Sequence, residues 1–136
     1  MKKYFLLLGV LSSLSAISYA DSDISKDIKT MNTMGNHIYV TYNLISGARA
    51  KCQTMDYNTT ISPGKSHTET YINFPGISEV CVYQTSIYTD SARQFNICHV
   101  TTALFYDNNG KITSQINSDS PDTCNVTTYP GSILVG

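Results

Sequence analysis

The chain has 136 residues, of which 41% are hydrophobic and only 14% charged, with a formal net charge of −1. That length holds a single domain. The near-neutral balance, with no clustered Lys or Arg, excludes nucleic acid and an anionic membrane surface as partners.

Lys2-Lys3, an apolar run over residues 4–11 and the closing Ser18-Tyr19-Ala20 predict a signal peptide over residues 1–20, cleaved after Ala20. The mature chain is then expected to be secreted or periplasmic. It keeps seven basic against ten acidic residues, a net of −3. The apolar run is too short to cross a bilayer and nothing later approaches that length, so no membrane span is expected. No Cys stands at the cleavage point, which argues against a lipid-anchored form.

Residues 21–35 carry the one helical pattern: Ile24, Ile28 and Met31 fall at i, i+4 and i+7, with Ser22 or Asp23 to cap the start and Gly35 to end it. A frayed terminus is the other reading of so short a segment. From His37 the period becomes two, and residues 36–136 are expected to form one β-domain. The 16 Thr and the abundant Tyr, Val and Ile suit a pleated, half-buried surface. Ile38, Val40, Tyr42 and Leu44 share one strand face. Ser46-Gly47 then predicts a hairpin turn into residues 48–55, whose Arg49 and Lys51 must face water. After the Pro63-Gly64 turn, residues 66–74 read as a strand with Ile72 and Phe74 inward and His67, Glu69 and Tyr71 outward. Pro75-Gly76 closes it.

Residues 80–88 and 95–106 carry apolar side chains on both faces and are expected to be central strands. Asp107-Asn108-Asn109-Gly110 is the strongest turn signal in the chain, leading to residues 111–117 with Ile112 and Ile116 inward. Residues 123–129 give one more strand before Pro130-Gly131. About seven short strands with regular turns predict an all-β fold, a small antiparallel β-sandwich. The architecture is similar to the immunoglobulin-like sandwiches of exported bacterial proteins, a fold-level likeness that implies no function.

Four Cys in a short exported chain predict two disulfides, since no C-x-x-C pair offers a zinc pattern. Four Cys allow three pairings. Cys52–Cys81 with Cys98–Cys124 is preferred, stapling each half separately; Cys81–Cys98 with Cys52–Cys124 is the alternative.

The chemical motifs are weak. Gly64-Lys65-Ser66 lacks the upstream Gly of a phosphate loop, where Thr59 stands instead. Ser62-Pro63-Gly64-Lys65 matches Ser-x-x-Lys, but Pro-Gly forbids the helix that such a Ser must head. An EF-hand register ending at Gly110 would need acids where Phe105 and Ile116 stand. No local signature marks a Ser nucleophile, and Cys98 beside His99 is expected in a disulfide, without a thiolate. No catalytic residue, metal ligand or cofactor site is therefore assigned. The leading expectation is an exported non-enzymatic binding protein with a protein or glycan partner. His67, Glu69 and Tyr71 are its candidate binding face, and the solvated face with Tyr39, Arg49 and Lys51 is the next choice. The alternatives are a small secreted hydrolase using His99 or His67, and a structural assembly subunit.

Overall fold

The computed structural model describes residues 25–136 apart from 55, 74–79, 108 and 129; the predicted signal peptide, Phe74 and the Pro75-Gly76 turn lie outside the described residues. The described chain is all-β. Its strands are β1 (Ser25–Asn32), β2 (Ile38–Ser46), β3 (Cys52–Thr54), β4 (Asn58–Ile61), β5 (Ser66–Asn73), β6 (Cys81–Tyr88), β7 (Asn96–Tyr106), β8 (Ile112–Ser118), β9 (Cys124–Thr127) and β10 (Ser132–Val135). They form two packed five-stranded sheets, ordered β3-β5-β1-β10-β9 and β4-β2-β6-β7-β8.

The core lies between the sheets. The second sheet contributes Ile38, Val40 and Tyr42 from β2, then Tyr83 and Ile87 from β6, Val100 and Leu104 from β7, and Ile116 from β8. Opposite them lie Ile28, Tyr71, Ile133 and Val135 of the first sheet. Alternate residues of each strand supply this layer because side chains change face at every step. Both disulfides run between the sheets: Cys52–Cys81 joins β3 to β6 and Cys98–Cys124 joins β9 to β7. The preferred pairing is thus the one that forms, and each bridge ties an edge strand of one sheet to an interior strand of the other.

Four expectations are corrected. Residues 25–32 form a strand, not a helix, pairing antiparallel with β5 and parallel with β10. Their inward face is Ile28, Thr30 and Asn32, so polar residues occupy core positions and the period-two signal disappears. Asn32 is satisfied there: its Nδ2 donates to Ile61 O (2.9 Å) and Asn36 O (2.8 Å), and its Oδ1 accepts from Met34 N at 2.8 Å. Secondly, β2 and β3 do not form a hairpin. Both sides of β2 are taken by β4 and β6, so the chain crosses at Gly47 to the other sheet, where β3 pairs with β5. Thirdly, the described residues form ten strands rather than about seven, β1, β4 and β10 being the additional ones, and the β1–β10 pair breaks the all-antiparallel pattern. The fourth correction concerns the face of β5 and is described with the site.

Other expectations hold. Strands β6 and β7 are interior to their sheet. The β7–β8 hairpin turns at Asp107, whose Oδ1 accepts from Asn109 N at 2.8 Å and Lys111 N at 3.0 Å, with Gly110 at φ 78°. Ile112 and Ile116 of β8 point inward.

Candidate functional site

Two groups of side chains stand out, one on a face of β5 and one on the outer face of the second sheet. The first is built on β5. His67, Glu69 and Tyr71 do share a face, but that face looks into the sandwich: Glu69 is 1% exposed and Tyr71 is fully buried. Strand parity explains how the expected face was inverted, since a shift by one residue exchanges both faces at once. Ile72 is buried too, so β5 is covered on both sides and hydrophobicity alone does not mark its inner face.

Tyr71 meets Tyr83 edge to face, with ring centroids 4.6 Å apart, and shares a hydrogen bond with Thr85 Oγ1 at 3.2 Å. Tyr83 donates to Gln53 O at 3.0 Å. Burial pushes the phenols of Tyr42, Tyr71 and Tyr83 well above their ordinary range. Tyr71 is therefore a core residue, not a surface anchor.

His67 and Glu69 are brought together as the sequence suggested, and the segment after β3 adds Asp56 to them. His67 Nε2 lies 3.1 Å from Glu69 Oε1 and 3.3 Å from Asp56 Oδ2. The other Glu69 oxygen accepts from Asp56 N at 2.8 Å. Burial raises the Glu69 carboxyl above its ordinary value, while the Asp56 N–H and His67 work against that shift. Tyr42 packs beside the cluster, its ring centroid 6.1 Å from that of His67. The Tyr42 hydroxyl is buried without a hydrogen bond of regular geometry, with Thr30 as its polar neighbour and both carboxylates close enough to act on it. The sequence signal for this cluster is the His67-x-Glu69 spacing, which places both on one strand face. Nothing in the sequence points to Asp56, because a loop delivers it from thirteen residues before Glu69.

The second group lies on the outer face of the second sheet. Tyr39 and Tyr88 are directly paired across β2 and β6. Arg93, in the β6–β7 loop, takes a left-handed backbone (φ 55°), rare for a residue with a side chain. Its Nε donates to Thr41 Oγ1 at 3.0 Å and its guanidinium carbon sits 5.9 Å from the Tyr39 ring centroid. Asp90 fastens the same loop, accepting from Gln94 N (3.0 Å) and Phe95 N (2.8 Å). Those backbone donors, Phe95 first, hold the Asp90 carboxyl below its ordinary range. The loop so fixed presents Phe95, 67% exposed.

His99 stands on this same outer face, with Ser86 Oγ 3.0 Å from its Nδ1. Asp119 accepts the backbone N–H of His99 at 2.8 Å, not an imidazole proton, and Ser86 is buried. This is a strand-end anchor in form rather than an accessible catalytic triad. A cleft of about 420 Å³ near the β1–β10 pair is lined by Lys26, Asp27, Lys29, Thr68, Ser114 and Gly131 among others, with no His or Cys among its described lining residues. Among the described residues no helix is long and apolar enough to cross a membrane. No protein-family model matches the chain, and no curated protein matches it.

Proposed function

We propose that this chain is an exported, non-enzymatic binding protein that recognises a protein partner through Tyr39, Tyr88, Arg93 and Phe95. The observation that carries the reading is Phe95, a large apolar side chain held out into solvent on a loop whose backbone is already fixed. A loop that carries both an exposed aromatic and an Arg has the composition of binding hot spots, and a preformed loop loses little entropy on binding. The partner's matching feature is an apolar pocket next to a carboxylate. A glycan is the weaker occupant, because the Arg93 guanidinium already lies near the Tyr39 ring on which a sugar would stack. Two disulfides fit an extracellular or periplasmic protein, and the Lys2-Lys3 start followed by an apolar run supports export. The two-sheet sandwich is read as immunoglobulin-like in architecture only, which adds nothing to function.

The hydrolase reading is less well supported, since the Ser beside His99 is buried and His67 faces two carboxylates. Assembly by strand addition is also less well supported. Three of the four sheet edges (β3, β4 and β9) are only three or four residues long, and two of them are tied down by disulfides.

The test uses the disulfide-intact chain as bait, beside Phe95→Ala and Arg93→Ala. A partner captured by the native chain should bind each variant with a loss of about 2 kcal/mol or more, roughly thirtyfold in Kd. The far-UV spectrum and thermal midpoint of Phe95→Ala should be unchanged, because the ring is exposed. Equal binding by all three proteins would remove the patch from consideration.

A further inference from the structure

We propose that Asp56, His67 and Glu69 form a binding site for a divalent transition-metal ion of the zinc type, with Nε2 of His67, one oxygen of Glu69 and one oxygen of Asp56 as ligands. The three ligand atoms all lie within 4.8 Å of one another. The two distances from Nε2, 3.1 and 3.3 Å, are close to the edge of a tetrahedron built on metal–ligand bonds of about 2.0–2.1 Å, roughly 3.3 Å. Closing the set on an ion then requires the two carboxylate oxygens to approach each other, and the half-exposed Asp56 side chain is the one free to move.

The argument for an ion rather than an ion pair is that both carboxylates converge on one ring nitrogen. If Nε2 carries a proton, that single N–H is aimed well at one carboxylate and poorly at the other. If the proton sits on Nδ1 and Glu69 is ionised, three lone-pair atoms face each other with no donor between them. An ion with several coordination positions satisfies all three at once, and two carboxylates neutralise its charge. One imidazole with two carboxylates suits zinc better than calcium or magnesium, which prefer oxygen alone.

A second observation points the same way. Tyr42, 1% exposed, packs its ring beside this cluster, and its buried hydroxyl has Thr30 as polar neighbour but no hydrogen bond of regular geometry. Burial of Glu69 fixes the inner ligand, whereas the Asp56 side chain is 51% exposed and leaves a path for the ion and room for bound water.

The experiment is a calorimetric titration with zinc of tag-free, disulfide-intact protein that has been stripped with a chelator. One ion should bind per chain. His67→Ala, Glu69→Gln and Asp56→Asn should each weaken binding at least about tenfold, and His37→Ala, which alters an exposed His elsewhere, should not. Zinc should also raise the thermal midpoint of the native chain and leave that of the three ligand variants in place. Asp56→Asn keeps the test decisive if Glu69→Gln folds poorly, because the Asp56 side chain is half exposed and its backbone N–H is retained. No uptake by the native chain, or uptake that Asp56→Asn and His67→Ala leave unchanged, would overturn the proposal.

Discussion

Glu69 carries a carboxyl group into the interior of the sandwich, where it is 1% exposed. A carboxylate removed from water disfavours its charged form unless partners compensate. Here Asp56 N, His67 and the Thr54 hydroxyl supply them, and the net direction is still upward from the ordinary value of 4.5. The folded state therefore holds the Glu69 proton to higher pH than the unfolded chain does. Between the two values the native state binds more protons, so the stability due to this group is present below about pH 4.5 and is lost as pH rises through the raised folded value. The groups facing Glu69 are His67 and Asp56, with the Tyr42 and Tyr71 phenols behind them. Urea midpoints measured with a chelator from pH 4 to pH 7 should decline less steeply in Glu69→Gln than in the native chain. Parallel profiles for the two proteins would mean that Glu69 titrates alike in both states.

At the scale of elements, two glycines show how much a connection depends on its surroundings. Gly64 follows Pro63 in the turn between β4 and β5, at φ 74°, and Lys65 N donates to Ser62 O at 3.0 Å. A Cβ there would meet nothing within 4 Å, so Gly64→Ala should lose only the backbone term, about 1 kcal/mol. Gly47, at φ 114°, carries the chain from one sheet to the other against the Cys52–Cys81 bridge. Its Cβ would stand 2.7 Å from Cys52 Sγ and 3.2 Å from Val80 O. Gly47→Ala should therefore cost about 2–4 kcal/mol, strain and overpacking together. Chemical denaturation of the two variants side by side measures the difference, and equal losses would show that the crossing is not held against the bridge. Both glycines were legible in the sequence as turns. That Gly64 and Gly47 each lead between sheets, and not around a hairpin, was not legible, because a turn signal reports local backbone and not the next strand's partner.

For the molecule as a whole, the two inter-sheet bridges are expected to supply a large part of the stability. They close loops of nearly equal length, with sequence separations of 29 and 26. The chain-entropy model gives each about 3.5 kcal/mol, a large share of the 5–15 kcal/mol typical of a domain. Replacing Cys52 and Cys81 together by Ala, or Cys98 and Cys124 together, should lower unfolding free energy by similar amounts. Removing all four should leave a chain marginally folded at best. Urea titration of the three variants checks this, and a fully stable four-Ala protein would show that packing between the sheets suffices without them.

The sequence by itself determined the β class, the central position of residues 81–88 and 96–106, the Asp107–Gly110 turn and the presence of two disulfides. Each follows from local chemistry: Thr and Tyr content, apolar residues on both faces, an Asx-type turn and four cysteines without a metal spacing. Tertiary structure alone decided which face of β5 looks inward, because the buried Glu69 finds the Asp56 N–H and the His67 ring there, and a polar strand face can then be buried. It also decided that residues 25–32 are a strand, since their backbone finds partners on both sides and Asn32 bonds to Ile61 of β4 and to the loop at Asn36. The His67-x-Glu69 half of the candidate metal site could be read along one strand. Its third ligand and the Arg93–Phe95 surface could not, because loops brought from other parts of the chain place them, and loop position depends on contacts that no local pattern encodes.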